Sequence, residues 1–236
     1  MSDALAHINP GNELAQIAET QIGTRGDLET GREALYGYLL ATDANLTAFE
    51  PEWARRGFGT EASSRYGLLN RRPDSPENSP RLRLLDREAA SELPAILRIH
   101  SWCAAFVDWC VLQLLLSAPH TTLLPMSQRP RTASAFGLLH WGRHAGCTVL
   151  EGSRHAPERG DIVVFTFSHT GIVTQAGLGK HFISVEGNTT RGMGGNQGYL
   201  VEKRLRSQAS LKGFVRLPPR YRLGDFNISS SIPHTA

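Results

Sequence analysis

The sequence predicts an α+β domain with helices first and an antiparallel sheet after them. Three observations carry this. Apolar residues recur at helical spacing over 13–22 and 30–41, a largely apolar stretch interrupted by Asp108 and Gln113 fills 104–116, and from residue 161 onward short runs rich in Val, Ile, Phe and Thr alternate with glycine-bearing turns. Helices followed by strands, rather than alternating with them, is the pattern of a sheet packed on one side by segregated helices.

In chain order, Leu14, Ile17, Ala18 and Ile22 mark one face of a first helix, with Asn12 as its N-cap and Gly23 as its stop. A second helix over 30–41 carries Ala34, Leu35, Tyr38, Leu39 and Leu40. The stretch 43–98 breaks the pattern: 71–80 reads as an exposed loop, and 84–98 as a helix that Pro94 kinks. The run from Ala104 to Leu116 is too apolar all round for a surface helix, so it belongs in the middle of the domain, with Ser101 as its N-cap. Pro119 to Pro130 is a connection, and Ser134 caps a helix that ends near Gly146. Strands are expected over 161–167, 169–175, 181–186, 199–205 and 212–217, with a frayed tail from about Gly224.

A chain of 236 residues with 40% apolar and 20% charged content buries a core without staples. Its formal charge of +3 is spread without a dense Lys/Arg run, which excludes the usual nucleic-acid footprint. No run reaches the ~18 apolar residues of a membrane span, and the first residues lack the basic start and apolar stretch of a signal peptide, so synthesis in the cytoplasm is expected. Three cysteines without a C-x-x-C pair indicate neither a disulfide framework nor a zinc ribbon. Cys103 and Cys110 share a helix face about 10 Å apart, beyond disulfide reach. The absence of H-E-x-x-H removes the commonest zinc-peptidase pattern, and no metal or cofactor is called for.

A buried cysteine is ordinarily a small core hydrophobe, and Cys110 and Cys147 read that way. Cys103 differs in position. About two residues into the central helix, it faces unpaired N–H groups and the positive end of the dipole, which favour a thiolate. A thiol nucleophile needs a base, and the base needs a third group to orient it. His169 opens one strand, and the next ends in Val185-Glu186-Gly187-Asn188. If the hairpin turns between Leu178 and Gly179, His169 lies opposite Asn188 with Glu186 as its diagonal neighbour, all on one sheet face. Ile172, Ile183 and Val185 then lie on the other face, with Val173 and Phe182 on the polar side, whereas an odd-numbered loop would send Glu186 and Asn188 across the sheet.

These residues resemble a known family. Trp102-Cys103-Ala104-Ala105-Phe106-Val107 looks like the nucleophile motif of CHAP domains, the cysteine, histidine-dependent amidohydrolases/peptidases related to NlpC-type, papain-like cell-wall hydrolases. Gly160 to Phe165 is similar to the strand before that family's histidine, Ser168 to Val173 to the histidine strand, and Val185 to Thr189 to the strand end carrying the third residue and a nearby Asn. The similarity covers about 101–217, and 43–98 departs from the family pattern as a long insertion.

The resemblance implies a papain-like, CHAP-type catalytic domain over 1–222, with 223–236 a flexible tail, that cuts an amide bond in peptidoglycan or its peptide stem. Cys103 would be the nucleophile, His169 the base and then acid, and Glu186 the group that orients the imidazolium. Asn188, Trp102 and Ser168 would support the site or bind substrate. Without a signal peptide, action in the periplasm or cell wall requires non-classical delivery, as a phage-type lysin or as an antibacterial effector carried by secretion machinery. The lack of a recognisable wall-binding module favours the effector, which would imply a cognate immunity protein that plugs the cleft. Two other readings stand beside this one: a cytoplasmic small-molecule amidase of the same superfamily, and a non-catalytic binding module that keeps the fold.

Overall fold

A computed structural model describes residues 9–25, 29–42, 102–117, 124–152, 154–190 and 198–219. The expected loop and kinked helix within 43–98, the Ser101 cap and the tail from Gly224 lie outside the described residues. The fold is α+β, with four α-helices and one six-stranded antiparallel sheet among the described residues.

Helix α1 (Pro10–Thr20) starts earlier than its apolar period suggests. Asn9, not Asn12, is the cap: its side chain accepts from Gly11 N–H at 2.9 Å, and Pro10 fills the first helical position, where a missing N–H costs nothing. Helix α2 (Glu29–Ala41) follows. Helix α3 (Cys103–Ser117) is the central one, buried on all sides from Cys103 to Asp108. Each fully buried Leu, Val or Phe in it contributes roughly 1.5–3 kcal/mol of apolar transfer. Helix α4 (Ala135–His144) is capped by Ser134, whose hydroxyl accepts from Gly137 N–H, as the sequence suggests.

The strands are β1 (Thr148–Glu151), β2 (Ile162–Phe165), β3 (Thr170–Leu178), β4 (His181–Thr189), β5 (Leu200–Ser207) and β6 (Leu211–Arg216), in the spatial order β1-β6-β2-β3-β4-β5. The chain meanders from β2 to β5, and β6 then returns to slot between β1 and β2. Strand β1 is an addition to the expected set. Four residues long and on the sheet edge, with no residue fully buried, it lacks the apolar density that marks the others. Strand β2 stops at Phe165 rather than 167, because Thr166–Ser168 form the turn into β3.

Both sheet faces are apolar. Ile162, Val164, Ile172, Val185, Val201 and Val215 join the four helices in the main core. Val163, Phe165, Val173, Phe182, Leu211 and Phe214 make a second cluster on the other face. The side expected to be polar is therefore a core of its own, and it explains Val173 and Phe182. Helix α3 seats on β4 through Gly187, where an added Cβ would lie 2.7 Å from Phe106 Cβ and from the Trp102 ring. Trp102 is wholly buried and stacks on Tyr38 of α2 at 5.9 Å between centroids. Asp161, just before β2, receives a two-point grip from Arg216 of β6 at 2.9 and 2.8 Å.

Candidate active site

Cys103 is the first residue of α3 and is 1% exposed. The first helical ladder bond runs from Phe106 N–H to Trp102 C=O at 3.0 Å, so the N–H groups of residues 103–105 have no acceptor within the helix. Together with the dipole they favour negative charge at the sulfur or on an oxygen bound beside it.

His169 is placed by the turn between β2 and β3. Phe165 N–H donates to His169 C=O at 2.9 Å, Ser168 N–H donates to Phe165 C=O at 3.2 Å, and Ser168 takes a left-handed backbone with φ 58°. The turn leaves the Ser168 residue exposed and delivers His169 to the mouth of β3, where it is 1% exposed.

Glu186 sits in β4 with 0% exposure. Gly187 faces α3, so Glu186 points to the opposite face, and Gly171 makes room for it: a Cβ on residue 171 would lie 2.6 Å from Glu186 Cγ. Glu186 Oε2 is 3.0 Å from His169 Nε2. The ring N–H points off that line, so the pair is held by charge and proximity more than by a linear hydrogen bond. Cys103 stands against the same ring, and with Nε2 turned to Glu186 the nitrogen left for the thiol is Nδ1. Cys103, His169 and Glu186 are thus brought together in the order thiol, imidazole, carboxylate.

The register behind this is the expected one, reached by a different route. Ile172 pairs Val185 and Val173 pairs Ser184, but the turn lies one residue later, between Leu178 and His181, and two register shifts, one between Val173 and Gln175 and one between Gln175 and Leu178, restore the pairing.

Asn188 also adopts a left-handed backbone, φ 58°. Its Oδ1 accepts from Gly198 N–H at 3.4 Å, and its buried Nδ2 has no partner among the described residues. It holds the segment leading into β5 rather than the imidazole. Trp102 packs on Tyr38 and against Gly187, and its indole N–H likewise lacks a partner among the described residues.

The sequence reading missed Arg206 and Ser184. Arg206, on β5, grips Glu186 at both oxygens, with Nε 2.8 Å from Oε1 and Nη2 2.5 Å from Oε2, while the Ser184 hydroxyl donates to Oε1 at 2.6 Å. The available signal was the buried carboxylate itself, since a charge taken out of water needs a partner charge. Naming Arg206 requires the β4–β5 register, which spans a long connection and cannot be counted off from a tight turn.

Burial pulls the His169 pKa down, but contact with Cys103 and Glu186 and their negative charges outweigh it and hold the ring at about 9. Burial pushes Glu186 up, and Arg206 and then His169 more than reverse this, so its carboxyl lies below the usual range. At neutral pH the ring of His169 is therefore protonated, beside an ionised Glu186. Burial pushes Cys110 well above the ordinary thiol value and Cys147 to about 11, which suits inert core residues.

All three cysteines are free, and among the described residues no group of three His, Cys, Asp or Glu side chains could hold a metal ion. No described helix is long and apolar enough to cross a membrane. No known protein family matches the chain, and a search of curated proteins finds no relative.

Proposed function

We propose that the chain is a thiol-dependent amide hydrolase of the CHAP type that acts on peptidoglycan. The observation that carries the chemistry is the unbroken contact from Cys103 at a helix N-terminus, through His169, to the buried carboxylate of Glu186. The substrate rests on the resemblance of four ordered motifs to enzymes that cut the cell wall.

Cys103 Sγ attacks the carbonyl carbon of the scissile amide, forming a C–S bond while the carbonyl oxygen takes up negative charge against the first N–H groups of α3. The protonated ring of His169 gives its proton to the leaving nitrogen as the C–N bond breaks, leaving a thioester and a neutral ring. The neutral ring then takes a proton from water as the water oxygen adds to the thioester. Collapse expels the sulfur, releases the carboxylic acid and restores the charged pair. Glu186 keeps the ring in one orientation and stabilises its charged form. The biology that goes with a wall hydrolase of this kind is delivery to the periplasm as an antibacterial effector, with an immunity protein as its counterpart.

Purified peptidoglycan incubated with the protein should release fragments with new amino termini, identified by mass spectrometry, and Cys103→Ala should release none. No cleavage by the unaltered protein sinks the wall-hydrolase proposal, and equal cleavage by the variant removes Cys103 as nucleophile. Expression directed to the periplasm separates this from the cytoplasmic-amidase reading: lysis there, with little toxicity in the cytoplasm, is expected only of the wall enzyme.

A further inference from the structure

We propose that Arg206 is a positioning residue of this site: lodged against the rings of Phe165 and Phe167, it forks onto Glu186 and fixes both the charge and the rotamer of the carboxylate that faces His169. Arg206 lies opposite Phe182 in the β4–β5 register, whereas Glu202 lies opposite Glu186, so the guanidinium reaches its partner by running along the sheet. Its path is set by two phenyl rings that stack at 5.1 Å and 3° from parallel, with the guanidinium carbon 5.1 and 5.4 Å from their centroids. That keeps an otherwise solvent-seeking side chain 14% exposed and aimed inward.

The charged groups facing Glu186 are few. His169 comes from the turn before β3, Arg206 and the like-charged Glu202 come from β5, and Cys103 of α3 lies beyond the ring. Arg204 of β5 is turned to Thr190 C=O. During turnover His169 alternates between charged and neutral, so it cannot be a constant counter-ion. Each time the ring is neutral, a buried Glu186 without Arg206 would take up a proton and lose its hold on the ring. Arg206 is charged throughout, and its fork occupies Oε1 and shares Oε2 with the ring, which leaves the carboxylate one orientation. The same two rings flank His169 at 6.2 Å each, so one aromatic turn sets the base and the cation behind its partner.

The test is a titration of the Glu186 carboxyl carbon by NMR, assigned by its loss in Glu186→Gln. In Arg206→Gln the midpoint should rise by about one to three pH units. In Arg206→Lys, which keeps the charge without the fork, the midpoint should rise less, while kcat falls on the order of tenfold to a hundredfold with KM little changed. An unchanged Glu186 midpoint in Arg206→Gln overturns the proposal. Should that variant not fold, a lysine variant with the midpoint of the unaltered protein overturns it as well. Only the kinetic arm rests on the hydrolase reading. A protein without activity would end that reading while the titration still judged Arg206.

Discussion

Adding one methyl group at Gly171 should impair the site without altering any of the proposed chemical groups themselves. An alanine Cβ there would stand 2.6 Å from Glu186 Cγ and 2.7 Å from Val185 O, against an ordinary contact that begins at 3.4 Å. Relief requires a displacement of about 0.8 Å. Val185 O belongs to the backbone of β4 and is held between β3 and β5, so the strands resist moving. The cheaper movement is of the Glu186 side chain, away from His169 and against the grip of Arg206 and Ser184. Overpacking of this size costs about 1–3 kcal/mol of stability. Misplacing a group that orients the base by nearly an ångström lowers turnover on the order of a hundredfold. The assay pairs a thermal melt with the initial rate of peptidoglycan-fragment release. A Gly171→Ala protein that matches the unaltered one in both would refute the reasoning that Glu186 depends on this gap.

Further outcomes follow from the same geometry. Glu186→Gln should lower kcat far more than it raises KM, because it disturbs the base and not the cleft, and steady-state kinetics would show the split. An unchanged kcat would remove Glu186 from the third role. The pH dependence of stability, followed by denaturant unfolding, should show two losses. His169 is raised from about 6.5 to about 9, so its contribution is complete below about 6.5 and disappears as pH rises through about 9, a change of a few kcal/mol. Glu186 is lowered, so its contribution is present above the ordinary carboxylate value of about 4.5 and is lost as pH falls through its folded value. Cys110→Ala should cost about 1 kcal/mol of stability by melt and leave the rate near that of the unaltered protein, since that thiol only fills the core. A hundredfold loss there would mean that the roles of the thiols are misassigned.

Local signals carried the sequence reading far, and long-range pairing limited it. The thiol and the histidine were legible because each sits at an element end with its own signature, and the glutamate because one hairpin could be counted. That count succeeded although its turn was placed one residue early, since two register shifts each move the pairing by one and together preserve the side of the sheet. Asn9 was overlooked as a cap because Pro10-Gly11 resembles a turn before it resembles a first helical residue. Strand β1 escaped because an edge strand with no fully buried residue has no apolar run to detect. Arg206 could not be reached, because it answers to a carboxylate across a pairing that no short loop defines. The second apolar cluster, around Phe165 and Phe182, was hidden for a related reason: a face that carries both phenylalanines and a buried Glu reads as polar until Arg206 is in place.

The most direct measurement of the central claim is an NMR titration of the His169 ring in the unaltered protein and in Cys103→Ala. A coupled thiol and imidazole beside Glu186 predicts that the ring stays protonated to about 9 in the unaltered protein, and that its midpoint falls clearly in the variant, where burial is opposed by Glu186 alone. A midpoint near the ordinary histidine value of about 6.5 in both proteins would contradict it, for it would mean that Cys103 and His169 do not share a proton at all.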